Sequence, residues 1–219
     1  MRCKCYINFA ESEKRPMRET YGIILAGGQA RRLGCVDKAL IEVGGEPILA
    51  RLAHRLSSQC AGLALNANGD PARFAGFDLA VVADDIAGFP GPLAGVLAGM
   101  DYVAANFADI SDIVTVPADT PFIPRDLVAR LWKARERAGA DIAVARSGER
   151  DHYAIALWPV ALRGALRRVL AEEELRKVAG FIGRFTATVV EWPTAPYDPF
   201  FNVNRPEDVE RAEEMAAHT

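Results

Sequence analysis

The chain has 219 residues, half of them hydrophobic and a quarter charged, with a formal net charge of −3 at pH 7. That length sustains a sizeable single core, and mixed charge without a basic excess excludes general affinity for nucleic acid or anionic membrane. The longest uncharged run, Ile86 to Met100 at 15 residues, falls short of the ~20 apolar residues of a membrane span.

Residues Met1 to Thr20 are polar, charged and without periodicity. They lack the apolar core of a signal peptide, so a cytoplasmic protein is expected, with residues 1–19 a loose extension and 20–219 one domain. Met17 is a candidate alternative start. Gly22 to Leu25 is a short apolar run, expected to be a buried strand, and it empties into Ala26-Gly27-Gly28. Ile48, Leu52 and Leu56 recur every four positions behind Pro47, a good first helical residue, and predict a helix to about Ser58. Gly62 to Asn66 and Leu79 to Ala83 read as strands ending in polar loops. A helix is expected from about Leu93 to Asn106, then a strand over Asp112 to Val116 and a helix over Pro124 to Ala138. Asp141 to Ala145 and Tyr153 to Leu157 read as strands around a loop, Arg146 to His152. Leu162, Leu166, Val169 and Leu170 mark another helix, and Glu172 to Gly183 is expected to be helical in part. A strand over Ala187 to Trp192 and a helix over Pro206 to Ala217 close the chain. Strands alternating with helices predict an α/β sandwich with a mostly parallel sheet, without repeat or linker. Ligands of such sheets sit at the carboxyl ends of the strands, here where Leu25, Asn66, Ala83 and Val116 hand over to loops.

The first of those ends is the most informative. At Gly27 and Gly28 the missing side chains let backbone N–H groups approach a ligand, and Arg31, Arg32 and Lys38 add three cations. Strand, glycine turn and fixed positive charge suit a triphosphate. Two commoner phosphate motifs are absent: no lysine follows Gly34 in P-loop register, and adjacent Gly27 and Gly28 do not form Gly-x-Gly-x-x-Gly. Asp119, just past a strand end in Pro117-Ala-Asp-Thr-Pro121, is placed either to hold Mg²⁺, which takes one or two carboxylates completed by phosphate and water, or to cap the next turn. Cys3, Cys5, Cys35 and Cys60 make no disulfide framework, and the histidines make no zinc pattern.

Leu25-Ala26-Gly27-Gly28, Arg32, Gly34 and Lys38 resemble the motif Leu-Ala-Gly/Ala-Gly-x-x-x-Arg-Met-Gly…Lys of NTP-dependent nucleotidyltransferases, with Leu33 in place of Met. The Gly-Gly form followed by Asp37-Lys38 is similar to one branch, the molybdenum cofactor guanylyltransferases (MobA family). The resemblance implies a three-layer, Rossmann-like sandwich of the nucleotide-diphospho-sugar transferase type. It also implies transfer of GMP from GTP to the phosphate of molybdopterin cofactor, with Mg²⁺ as cofactor and transient contact with proteins that deliver and receive the cofactor. It further implies Lys38, Arg32 and Asp119 as catalytic residues, with Asp119 on the metal. Leu25, Ala26, Gly27, Gly28, Lys38, Asn66, Asp84 and Asp119 would bind GTP. An amide or carboxylate at Asn66 and Asp84 suits guanine, which presents N1–H and an exocyclic amine, and equally suits the ribose, while Asn66 also fits a residue that only turns the chain. Asp37 would orient Lys38 or a neighbouring arginine.

Asn202 and Asn204 resemble a family segment that adds to the metal or phosphate shell, and equally suit capping of the last helix. Arg150 and His152 fall in the segment resembling the acceptor side, although Tyr153 stands where relatives often have proline. Arg176 and Lys177 resemble a pair of acceptor cations or form a solvated helical face. A cytidylyl or sugar-type nucleotidyltransferase and a non-catalytic nucleotide-binding module are the alternatives.

Overall fold

The computed structural model describes residues 19–27, 37–86, 91–173 and 175–218. Its strands are β1 (Thr20–Leu25), β2 (Glu42–Val43), β3 (Glu46–Pro47), β4 (Leu63–Asn66), β5 (Ala80–Val82), β6 (Asp112–Pro117), β7 (Ile142–Ser147), β8 (Arg150–Pro159) and β9 (Ala187–Trp192). Its helices are α1 (Ile48–Ser57), α2 (Pro92–Asn106), α3 (Leu127–Ala138), α4 (Arg163–Glu173), α5 (Val178–Ile182) and α6 (Pro206–Ala216). Among the described residues seven strands form one sheet in the order β5-β4-β1-β6-β8-β7-β9. Only β8 runs against its neighbours in that sheet.

The two-residue period of each strand sorts its side chains to opposite faces. Ile24, Leu65 and Val114 pack with the apolar stripes of α1, α3 and α6. Ile23, Ala64 and Ile113 pack with α2, α4 and α5. The result is the expected three-layer, mostly parallel α/β sandwich. On the second face, Gly95 and Gly99 of α2 let the helix approach β1 and β4 closely: a Cβ on Gly99 would lie 2.7 Å from Ile23 Cγ1.

Two expectations need correction. The loop predicted over Arg146 to His152 is mostly strand, because β7 and β8 pair down to Ser147↔Arg150 and leave only Gly148 and Glu149 to turn the chain. Its charges hide the strand pattern, and the register slips between Val144 and Ala145. The helix expected from Pro124 begins at Leu127 instead. Its first turn is capped from afar: buried Gln59 accepts from Val128 N (3.0 Å) and donates to Pro124 O (3.0 Å).

A buried hydrogen-bond relay ties β6 to β8. Trp158 Nε1 donates to Thr115 Oγ1 (2.9 Å), which donates to Ala154 O (2.8 Å). Thr115→Val keeps the shape and strands both partners. Unpaired buried polar groups cost about 1–3 kcal/mol, so the denaturant midpoint is expected to fall by that equivalent with an unchanged slope.

Candidate active site

The carboxyl ends of β1, β4 and β6 are laced together. Ala26 N donates to Asn66 O (2.8 Å), and Ala118 N donates to Leu25 O (2.9 Å). On the β6 side, Asp119 receives two partners from distant parts of the chain. Lys38 Nζ lies 3.1 Å from Asp119 Oδ2, and Asn202 Nδ2 donates to Asp119 Oδ1 at 2.8 Å. Lys38 also donates to Asn204 Oδ1.

The asparagines reach this point because Asn202 and Asn204 alternate with buried Val203, whose N–H donates to Asp119 O at 2.8 Å. Capping of α6 falls to Asp208, whose Oδ2 accepts from Arg205 N and Asn204 N, both at 2.9 Å. The asparagine side chains thereby serve the cluster.

On the β4 side, buried Asn66 donates to Val82 O (3.1 Å) and Asp84 Oδ1 (2.8 Å). Asn68 donates to Asp84 Oδ2 (2.8 Å) and accepts from Asp84 N (2.9 Å). Both carboxylate oxygens of Asp84 are thus held by amides, with lone pairs left over. Asn66 Oδ1 sits against Gly95 and, at 3.9 Å, against the place of a Cβ on Gly27. Gly28, Arg31, Arg32, Gly34 and Cys35 lie outside the described residues.

Antiparallel β8 brings its first residues, Arg150 to His152, to the same end of the sheet. Arg150 is exposed. His152 is buried: its Nε2 is 2.7 Å from Ser147 Oγ, and its ring lies 4.9 Å from that of Phe200. Arg176 and Lys177 lie in the connection between α4 and α5, not on a helical face. The Arg176 carbonyl is 3.8 Å from the place of a Cβ on Gly91, at the start of α2.

The donor chemistry near Asp119 fits a hard divalent cation. Asp119 brings a carboxylate and Asn202 and Asn204 bring amide groups, here bridged by Lys38 Nζ between Asp119 Oδ2 and Asn204 Oδ1 and by Asn202 Nδ2 on Asp119 Oδ1. Among the described residues no group of three His, Cys, Asp or Glu side chains could hold a metal. Such a set needs phosphate and water oxygens to complete it, as magnesium sites on nucleotides do. A groove of about 640 Å³ along edge strand β5, lined by Asp70, Phe74 and Asp78 among others, shares no residue with this cluster.

Residues 22–185 match the model of the MobA-like NTP transferase domain. The chain is 56% identical over 197 residues to the molybdenum cofactor guanylyltransferase of Rhodopseudomonas palustris strain BisB5, covering 90% of this chain and 94% of that one. It is 51% identical over 196 residues to the protein of the same name from Bradyrhizobium sp. strain ORS 278, covering 90% and 92%. The chain belongs to the MobA-like NTP transferase family. Its fold is shared with molybdopterin-guanine dinucleotide biosynthesis protein A of Archaeoglobus fulgidus, at a TM-score of 0.70, 22% identity and coverage of 91% and 100%.

Within this family framework, Asn68, Arg73 and Gly95 touch residues of the site and stand in no motif of the sequence. The Asp70-Pro71 pair was the only local signal for the 3-10 segment that carries Arg73, since Asp70 caps it through Ala72 N (2.9 Å). Burial pushes the His152 imidazole below the usual histidine range, partly countered by Asp198. The fold therefore holds it neutral, while the unfolded chain takes up a proton near pH ~6.5. Its contribution to stability is complete above that pH and is lost as pH falls below it toward the depressed native value. Thermal scans from pH 7.5 to 5 are expected to show a steeper loss for the wild type than for His152→Gln.

Proposed function

We propose that this chain transfers GMP from GTP to the terminal phosphate of molybdopterin cofactor, giving the guanine dinucleotide cofactor and pyrophosphate. One observation carries the reading: Lys38, Asp119, Asn202 and Asn204 converge at the carboxyl end of the sheet in a chain whose relatives bear the guanylyltransferase name.

In this reading Leu25, Ala26 and Gly27 line the triphosphate, and Asn66 holds Asp84 toward the guanine edge. Gly28 and Arg32, outside the described residues, join on the strength of the motif. Asp119, with Asn202 and Asn204 beside it, holds a divalent cation, with Mg²⁺ as the assigned metal. Bound there, the ion would neutralise phosphate oxygens.

The acceptor phosphate is already largely a dianion at neutral pH, its second pKa being near ~6, so no general base is needed. Its oxygen forms a bond to the α-phosphorus of GTP as the bond from that phosphorus to the bridging oxygen breaks. Lys38 stabilises the charge gathering on the departing pyrophosphate, in a setting where fixed donors act strongly. Exposed Arg150 and the Arg176-Lys177 connection are candidates to face the acceptor. His152, covered by Phe200, supports the segment that carries Asn202.

A cytoplasmic setting and transient contacts with delivering and receiving proteins follow from the same reading. No helix among the described residues is long and apolar enough to cross a membrane. The test supplies molybdopterin with GTP, CTP, ATP or UTP and follows pyrophosphate, with and without Mg²⁺. Release with GTP and metal is expected. Equal release with CTP would return the chain to the sister transferases, and GTP binding without release would make it a binding module.

A further inference from the structure

The base-side loop and the lysine-side segment are joined by one side chain. Arg73 Nε lies 2.9 Å from Asp37 Oδ2, and its Nη2 donates to Asn68 O at 2.6 Å. Asn68 is doubly bonded to Asp84, and Asp37 immediately precedes Lys38 and caps its 3-10 turn, its carbonyl accepting from Leu40 N at 2.9 Å. A continuous path therefore runs from Asp84 through Asn68, Arg73 and Asp37 to Lys38.

Arg73 itself is anchored. It sits in the 3-10 segment Pro71–Phe77, capped by Asp70, beside fully buried Phe74, whose ring centre is 4.7 Å from the guanidinium carbon. Gly69 makes room for it: its φ is +89°, and a Cβ there would lie 2.9 Å from Arg73 Nη1. A guanidinium is a rigid planar fork whose donors keep a fixed spacing, which a lysine ammonium cannot reproduce. The side chain is 35% exposed, so as an ion pair it adds little to stability. Its consequence is geometric.

We infer that Arg73 is a positioning residue that fixes the base-binding loop and the lysine-bearing segment at one spacing, so that guanine and triphosphate are held together as parts of one ligand. This rests on the nucleotide reading given above. In that arrangement the two halves of GTP reinforce each other's binding. Without the strut each half still binds, and the advantage of having them joined shrinks.

The experiment measures displacement of a fluorescent GTP analogue, in the presence of Mg²⁺, by GTP, guanosine and inorganic tripolyphosphate. It compares wild type, Arg73→Ala, Arg73→Lys, Asp37→Ala and the Arg73→Ala/Asp37→Ala double variant. Arg73→Ala is expected to weaken GTP about tenfold, within the range of intersite coupling, while guanosine and tripolyphosphate each change by less than about twofold. Arg73→Lys should not rescue, Asp37→Ala should weaken GTP similarly, and the double variant should lose no more than either single one.

Unchanged GTP binding by Arg73→Ala overturns the inference. So does a matching loss of tripolyphosphate, which would make Arg73 a phosphate ligand, a matching loss of guanosine, or a large drop in melting temperature. Lys38→Ala serves as the separate control: if it binds GTP and turns over like the wild type, the nucleotide reading itself fails, whatever Arg73 does.

Discussion

Lys38→Ala is expected to lower turnover by about 10²–10³ while leaving the melting temperature nearly unchanged, the range seen when one charge-stabilising donor is removed. That loss corresponds to about 2.7–4 kcal/mol of transition-state stabilisation. The structural share of the same side chain is much smaller. Lys38 and Asp119 are 21% and 17% exposed, and an ion pair with that access to water is worth about 0.2–1 kcal/mol to the fold. The two magnitudes separate the roles.

A lysine that only pairs with Asp119 would shift stability slightly and leave the rate alone. One that stabilises pyrophosphate would lower kcat and kcat/KM together, because the interaction grows in the transition state. Asp119→Asn provides the complement, since it keeps the size of the side chain while removing the charge that a divalent cation requires and one of the two acceptors that face Lys38 and Asn202. Near wild-type turnover by Lys38→Ala would sink the phosphate assignment.

The parts of this site that were legible in sequence are those written into short contiguous stretches. β1, β4 and β6 are apolar runs that stop at glycine or polar residues, and their ends meet as expected. Asp119 announces itself by standing just past such a run between two prolines. Asn202 and Asn204 were legible as a pair but not in their orientation, which depends on Val203 being buried and on Asp208 taking over the cap.

What the sequence hid is contact between distant residues. Nothing near Asp37 indicates that its partner is Arg73, because the pairing depends on where the 3-10 segment between β4 and β5 sets that side chain. The start of β8 was hidden for another reason. Its first residues, Arg150, Asp151 and His152, are polar because they stand at the site end of the sheet, and they break the alternation by which a strand is recognised.

Gly95→Ala is expected to destabilise the protein by about 1–3 kcal/mol, the usual cost of overpacking, and to weaken GTP binding tenfold or more. Two effects oppose each other at this position. Alanine in a helix interior gains about 0.5–1 kcal/mol over glycine. Against that, the new Cβ would lie 2.1 Å from Asn66 Oδ1, 2.8 Å from its Cγ and 3.0 Å from Leu25 Cδ2. No methyl group tolerates 2.1 Å, so Asn66 must move. It is held at both Val82 O and Asp84 Oδ1, and a buried amide that gives up its partners costs about 1–3 kcal/mol. The clash therefore outweighs the propensity gain, and Asp84, left with Asn68 as its amide partner, carries the damage to the nucleotide on the proposed reading.

Two variants isolate this cause. Gly99→Ala overpacks the same helix against Ile23, so it should lower stability without altering GTP affinity in the folded protein. In an Asn66→Ala background the obstruction to Gly95→Ala is removed, and the second substitution should become neutral or slightly stabilising. If Gly95→Ala instead binds GTP like the wild type, Asn66 has room to move and does not set the orientation of Asp84.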